Sequence, residues 1–310
     1  MTSIHEPGIE QPRVMRPRER ERELRIATYN VHGAVGIDGQ FVPERIGEVL
    51  YEIDADIFAL QEVPLGGANS PDVLATLQRM TGLNAVAGPT LDTHQRRYGN
   101  AVLTRYPVRE VRSLDLSFGS REPRGALDAD IDCNGELWRV VATHLGLASS
   151  ERRAQVEQVL QCFDTPTLPV ILLGDLNEWF VYGRTLRRLV THFHRAPALR
   201  TFPTRYPVFS LDRIWVHPGE RLMRVEVHRT PLAKVASDHY PLIAHIRASD
   251  DPRPGSRWAS CEAGPFERQD ILARTAKGSS KTKPEEPPRG QCGGPFRFCD
   301  RPRGVPVVRT

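Results

Sequence analysis

Residues 169–179 read PVILLGDLNEW. Pro169 introduces an unbroken apolar run, Val170-Ile171-Leu172-Leu173, the pattern of a buried strand. Polar side chains arrive only after Gly174, and then together: Asp175, Asn177 and Glu178. Side chains alternate along an extended chain, so Asp175 and Asn177 share one side at the strand's end. A carboxylate and an amide side by side at the mouth of a sheet suit a hard cation or a phosphate. Asp and Asn are just as much at home in an Asx turn that simply ends a strand. On its own the stretch supports both readings.

The flanking segments supply partners for such a strand. Before it, ERRAQVEQVLQCF after Ser149 and Ser150 reads as a capped helix with Val156, Val159, Leu160 and Phe163 inward. After it, residues 184–193 align Leu186, Leu189, Val190 and Phe193 on one helical face, and 212–216, 223–228 and 242–246 read as strands. Nearer the start, 24–29 reads as a strand ending at Asn30. Residues 43–53 carry Ile46, Val49, Leu50 and Ile53 at helical spacing behind Pro43. Residues 56–61 form another apolar run, ending at Glu62. Ser70-Pro71 opens a second helix with Val73, Leu74, Leu77 and Met80 on one face and Gly82 as its C-terminal cap. The middle is strand-rich, at 100–104, 108–114, 126–132 and 137–144, with the hairpin signal Asn134-Gly135 between the last two. Alternating βα units mixed with hairpins predict an α/β (α+β) sandwich of two mixed sheets, packed face to face with helices outside. Loops at one end of the strands are expected to carry the site.

The chain has 310 residues, 39% of them hydrophobic, and no run approaches the roughly 18 apolar residues of a membrane span. The first residues, MTSIHEPGIEQPR, lack an apolar signal core. Five cysteines at 133, 162, 261, 292 and 299 form neither a close metal pair nor a simple disulfide framework. A reducing cytoplasm is the expected compartment. The net charge of +4 is uneven. Residues 1–23 hold five Arg and five Glu, and 248–310 hold 12 Lys+Arg against 8 Asp+Glu, which leaves 24–247 formally neutral. Bulk charge therefore announces no duplex-binding surface. The composition divides the chain into a disordered leader (1–23), a folded domain (24–247) and a flexible, weakly basic tail with 9 Pro and 7 Gly (248–310). A short helix near 267–275 is expected within the tail.

Polar residues gather where the strands stop. Asn30, Glu62 and His144 end three of them, and Asp175 with Asn177 ends a fourth. Asp212 begins a late strand, Ser237-Asp238-His239 precedes the last, and Tyr98 and Asn100 flank another. Each alone is weak, since a lone Asn after a strand is usually a turn residue. Their joint placement is the signal.

The stretches LRIATYNVHG, DIFALQEV, YGNAVLTRYPV, ATHLGL, VILLGDLNEW, FSLDRIWV and SDHYPLIAHI carry these residues over 24–247. In this order they resemble the endonuclease/exonuclease/phosphatase superfamily. It includes deoxyribonuclease I-like nucleases, abasic-site endonucleases, neutral sphingomyelinases and inositol polyphosphate 5-phosphatases. The resemblance implies a four-layered α/β sandwich and cleavage of phosphate esters with Mg²⁺, for which Mn²⁺ substitutes. It implies that Glu62 is the main metal ligand, helped by Asn30, with Asp238 completing the shell or a second metal site. Asp175 would position or deprotonate water, Asn177 would hold a phosphate oxygen or that water, and His239, backed by Asp212, would contact the scissile phosphate. His144 would bind phosphate or act as an acid, with Tyr98 and Asn100 facing the scissile group.

The chemistry agrees. Phosphodiester hydrolysis needs stabilisation of extra negative charge. Mg²⁺ takes oxygen ligands and keeps several waters, so one or two carboxylates suffice. An Asp–His pair fixes the imidazole tautomer. Whether Asp175 or the Asp212–His239 pair is the base stays open, as does Arg124, a phosphate contact or a solvated loop arginine. The substrate is expected to be a nucleic acid or a phospholipid-type diester, cleaved by a monomer. Local basic candidates are His94-Gln95-Arg96-Arg97, Arg121 and Arg124, whereas Arg184, Arg187 and Arg188 read as a solvated helix face. Trp179, Phe180 and Tyr182 would stack a base, bury an acyl group, or only pack locally. No Lys/Arg cluster suited to a polyphosphate accompanies the motifs. The alternative is a catalytically silent relative that binds phosphate or a partner. It predicts a broken site, whereas Glu62, Asp175, Asn177, Asp212 and His239 are all present.

Overall fold

The computed structural model describes residue 15 and residues 23–161, 168–180, 183–193 and 195–248. In chain order the first half runs β1 (Glu23–Asn30), α1 (Pro43–Ile53), β2 (Ile57–Pro64), α2 (Val73–Thr81), β3 (Asn84–Asp92), β4 (Arg97–Thr104), β5 (Val108–Asp115), β6 (Gly125–Cys133) and β7 (Glu136–His144). The second half runs α3 (Ser149–Gln161), β8 (Val170–Asp175), α4 (Arg184–Phe193), β9 (Asp212–His217), β10 (Leu222–Val227), α5 (Pro231–Ala236) and β11 (Leu242–Arg247).

One sheet has the order β10-β11-β1-β2-β4-β3, the other β5-β6-β7-β8-β9. The pairs β1–β2 and β7–β8 are parallel and the remaining pairings antiparallel, so both sheets are mixed. The expected hairpin closes β6 onto β7 through Asn134 and Gly135, both at positive φ (57° and 93°), as a two-residue primed turn requires.

Three apolar clusters define four layers. Alternate residues of the first sheet (Ala27, Tyr29, Phe58, Leu60, Leu103) face outward onto α1, α2 and α5 through Ile46, Leu50, Leu77 and Ala233. The opposite residues (Ile26, Ile57, Ala59, Val102, Ala244) meet Leu127, Trp138, Val140, Ile171 and Ile214 between the sheets. The second sheet's outer face packs Val141, Val170, Leu172 and Trp215 on Val156, Val159, Leu186 and Phe193. Trp138 is the largest fully buried side chain, and truncating such a residue to Ala costs about 4 kcal/mol. This is the predicted sandwich.

Three local differences have physical causes. Strand β3, NAVAGPTLD, carries too much Ala, Gly and Pro to show an apolar alternation. As the edge of its sheet it tolerates Pro89, whose missing donor faces no partner strand. Helix α5 is six residues long, shorter than any readable period, and starts from Thr230, whose hydroxyl accepts from Ala233 N at 3.1 Å. Helix α2 starts at Val73, because Asp72 caps it by accepting from Ala75 N at 2.8 Å. Met15 is buried, its N–H donating to Thr81 O. Phe163, Tyr182, the rest of residues 1–22 and the tail beyond Ala248, including 267–275, lie outside the described residues.

Candidate active site

The alternation that fills the intersheet core also delivers the polar residues. On β7, Trp138, Val140 and Ala142 point between the sheets, and the next residue in that row is His144. On β8 the row Ile171, Leu173 ends at Asp175, on β9 Val216, Ile214 ends at Asp212, on β1 Leu24, Ile26, Thr28 ends at Asn30, and on β4 Val102 is followed by Asn100. Parallel strands reach the site by their C-terminal ends and antiparallel ones by their N-terminal ends, so one edge of the sandwich collects them all.

Glu62 breaks this rule. The inward row of β2 is Ile57, Ala59, Gln61, and Gln61 Oε1 accepts from Thr28 Oγ1 at 3.2 Å. The β2–β4 register then shifts between Leu60 and Val63, and Glu62 takes a left-handed conformation at φ 59°. This bulge re-aims Glu62 into the site. Gly174 has a comparable duty, since at φ 147° a Cβ there would lie 1.8 Å from Thr143 O. Strand β8 can approach β7 this closely only with glycine.

Asp175 serves as turn and site at once. Its Oδ1 accepts from Asn177 N at 2.9 Å, an Asx turn with Asn177 at φ 51°. Oδ2 is thereby left to the site. It accepts from Asn30 Nδ2 at 3.1 Å and lies 3.5 Å from His144 Nε2 and 3.6 Å from His239 Nε2. The same Asn30 amide donates to Glu62 Oε1 at 2.9 Å, and Tyr98 Oη donates to Glu62 Oε2 at 3.1 Å. Burial and the Glu62 charge keep Tyr98 protonated. His32 Nδ1 lies 3.8 Å from Glu62 Oε2 and 3.5 Å from Asp238 Oδ1. Ser237 Oγ donates to Asn30 O at 2.7 Å, tying the Asp238 loop to the end of β1.

The two buried histidines are driven to opposite charge states. Burial, joined by the Arg124 charge and opposed by Asp175, lowers the His144 pKa to about 3. Arg124 Nη1 donates to His144 Nδ1 at 2.8 Å, and a guanidinium can only donate. The ring proton therefore sits on Nε2, on the side of Asp175 and Glu62. Burial also opposes charge on His239, but Asp212, Asp175 and Asp238 outweigh it and raise the pKa to about 10. His239 Nδ1 donates to Asp212 Oδ2 at 2.9 Å, and Thr201 Oγ1 donates to the same oxygen at 2.5 Å.

The remaining sequence candidates take distinct places. Asn177 Nδ2 donates to Leu145 O at 2.9 Å; it lies 3.0 Å from His144 Nε2, but with the ring proton on Nε2 both groups are donors and share no hydrogen bond. Asn100 is buried and donates to Gly125 O at 2.9 Å. Arg124 is buried behind His144 and also pairs with Glu122 at 2.8 Å. Glu178 is taken up by Arg152, 3.4 Å away on α3. That helix buries Glu151, Arg152 and Gln155 beside Val156 and Val159, because Gln155 and Arg152 hold the loop after His144. Gly146 N donates to Gln155 Oε1 at 2.8 Å, and Arg152 Nη1 donates to Gly146 O at 3.3 Å. His32, Thr201 and Phe202, whose ring centroid lies 4.7 Å from that of His239, join the site without a sequence signal beyond NVHG for the first. Trp179 stacks edge-on to Phe209 at 4.6 Å, and Phe180 is exposed.

Two acidic groupings bear on a metal. Ligand atoms of Asp175, Asp212 and His239 lie within 4.8 Å of one another. There, however, both carboxylates are nearly closed off (2% and 0% exposed) and a cationic imidazole already balances them. Glu62 and Asp238 reach solvent (25% and 30% exposed). A small dication that keeps several waters fits the latter oxygen set better.

Residues 27–239 match the sequence profile of the Endonuclease/Exonuclease/phosphatase family. Uncharacterized protein YbhP of Escherichia coli K12 is 30% identical over 246 residues, covering 72% of this chain and 96% of its own length. A Beutenbergia cavernae endonuclease/exonuclease/phosphatase structure superposes with a TM-score of 0.63 at 23% identity, over 74% of this chain and 72% of its own. A Bacteroides thetaiotaomicron mannosyl-6-phosphatase does so with a TM-score of 0.58 at 20% identity, over 71% and 98%. Among the described residues no helix is long and apolar enough to cross a membrane. The matched segment runs from the strand that ends in Asn30 to His239 itself, and the chain belongs to the endonuclease/exonuclease/phosphatase family.

Proposed function

We propose that the chain is a Mg²⁺-dependent phosphodiesterase, working as a monomer on a nucleic acid or a phospholipid-type diester, with Mn²⁺ able to replace Mg²⁺. The observation that carries this reading is the meeting of Asn30, His144 and His239 at a single oxygen, Asp175 Oδ2. Such an oxygen is placed to accept a proton from water while the surrounding N–H groups face the phosphate. Glu62 and Asp238 would hold the metal, helped by Asn30, whose amide donates to Glu62 and steadies it; when bound, the metal would neutralise phosphate charge and lower the pKa of water. Asp175 orients the attacking water and draws off its proton. His239, kept cationic by Asp212, donates from Nε2 to a phosphate oxygen and stabilises the charge that grows there. His144 stays neutral and offers its Nε2–H to the same group, with Arg124 fixing that tautomer from behind. Asn177 holds a phosphate oxygen or the water, and Tyr98 steadies Glu62.

Hydrolysis of bis(p-nitrophenyl) phosphate with Mg²⁺ or Mn²⁺ tests the reading. Activity is expected to vanish with EDTA and in Asp175→Ala and His239→Ala while both variants remain folded by circular dichroism. Metal-independent turnover, or unchanged variants, refutes it. One structural relative is named a mannosyl-6-phosphatase, so the substrate panel sets sugar phosphates beside plasmid DNA, RNA, sphingomyelin and glycerophosphodiesters.

A further inference from the structure

The basic residues around the site are mostly committed. Arg97 pairs with Asp92 at 3.0 Å, Arg121 lies 3.8 Å from Glu151, and Arg124 is held by His144 and Glu122. Arg96 differs. Among the described residues it pairs with no carboxylate, and its guanidinium carbon lies 4.9 Å from the centroid of the Tyr98 ring. The Tyr98 hydroxyl in turn donates to Glu62, so one aromatic ring links Arg96 to the carboxylate side of the site.

Arg96 lines an open groove of about 720 Å³ beside Glu62, together with His32, Phe41, Asn69, Ser70 and Tyr98. The groove wall is built in advance. Arg97 N donates to Gly66 O (2.7 Å), Ala68 N to His94 O and Asn69 N to Gln95 O (both 3.0 Å), zipping residues 66–69 onto 94–97. Gly67, at φ 131°, permits this, because a Cβ there would lie 2.6 Å from Gln95 O. Among the described residues Glu62 is the only acid in the lining, and it is already engaged by Asn30 and Tyr98. What the wall offers a ligand is a free guanidinium, an amide, a hydroxyl and an imidazole, with Phe41 available to a carbon spacer.

We propose that this groove is a subsite for a second, non-scissile phosphate of the substrate, read by Arg96. The proposal rests on the phosphoesterase reading above. A planar guanidinium grips phosphate through two parallel N–H donors, and its stacking on Tyr98 limits the freedom lost on binding.

The test compares inhibitors of bis(p-nitrophenyl) phosphate hydrolysis at fixed free Mg²⁺. Propyl phosphate carries one phosphate and propane-1,3-diyl bisphosphate carries two. The methyl diester of the latter's second phosphate separates an internal diester from a terminal monoester as the natural source. A two-phosphate probe is expected to bind about tenfold more tightly than propyl phosphate, a gap of about 1.4 kcal/mol. Arg96→Ala should collapse that gap, Arg96→Lys should restore part of it, and Arg97→Ala, which removes an equal but paired charge, should keep it. Equal inhibition by all probes, a gap that survives Arg96→Ala, or a gap lost equally in Arg97→Ala overturns the proposal. Calorimetric binding of the same probes reads the gap without turnover, so an inactive protein would sink the phosphodiesterase reading and still leave the groove to be judged.

Discussion

Asn30, on β1 of one sheet, donates its side-chain amide to Asp175, on β8 of the other, across 3.1 Å. The other hydrogen of that amide goes to Glu62 at 2.9 Å, so one neutral residue holds two carboxylates of the site in register. Asn30→Ala leaves both carboxylates short of a donor and free to move apart. The expected result is a fall in kcat/KM of about 10²-fold, with a stability loss of about 2 kcal/mol from the unsatisfied buried groups. Steady-state kinetics and urea unfolding check the two parts separately. Activity within threefold of the parent would remove Asn30 from the positioning role.

His239 and Asp212 make the second test. The carboxylate holds the ring cationic, with a pKa raised to about 10 despite burial. Asp212→Asn keeps the shape but removes the charge, and His239 should then titrate much closer to its ordinary value near 6.5. A loss of about 10²-fold in kcat at neutral pH is expected. The His239 imidazole signal in metal-free protein reports the pKa directly. An unchanged titration would mean that Asp212 does not set the charge.

Much of this was legible in the sequence because strand alternation is arithmetic. Once Ile171 and Leu173 face a core, Asp175 must face the same way, and the same counting places His144, Asp212 and Asn30. Glu62 escapes the count, since a bulge and a left-handed backbone turn it inward. The choice between Asx turn and site at Asp175 dissolved for a related reason, because one oxygen makes the turn and the other faces the site. On α3 the inward Val156 and Val159 were legible, but the polar part of the buried face was not, because Gln155 and Arg152 hold backbone that no periodicity predicts. Thr201 and Phe202 sit on irregular segments, where side-chain direction depends on tertiary contacts alone.

Arg124 and His144 give a third prediction. Burial and the Arg124 charge together hold His144 neutral, down to a pKa of about 3. In metal-free protein the His144 ring should not titrate between pH 7 and 4. Arg124→Met removes the cation and the Nδ1 donor, which raises the His144 pKa and lets the proton move from Nε2 to Nδ1. A fall in kcat of about tenfold with little change in KM is expected, together with altered ¹⁵N shifts of the ring. An unaltered tautomer in the variant would mean that Arg124 acts elsewhere.

The last prediction concerns the outer face of β6, where Asp128 lies buried beneath Arg112 and Arg139. Arg139 Nε donates to Oδ1 at 3.0 Å and Arg112 Nε to Oδ2 at 3.1 Å. Burial alone would raise the Asp128 pKa, but the hydrogen bonds from Arg139 and Arg112 lower it below the ordinary carboxylate value. A carboxylate depressed in the folded state stabilises the fold fully above its unfolded pKa, near 4. That stability is lost as pH falls from there through the folded value. Asp128→Asn should therefore cost roughly 2 kcal/mol at pH 7, less than a fully enclosed pair because both arginines reach solvent. The deficit should shrink when unfolding is measured at pH 3, below the ordinary carboxylate value, where the unfolded parent chain takes up the proton that the folded carboxylate resists. A deficit of the same size at both pH values would mean that the substitution acts through packing and not through the ion pair.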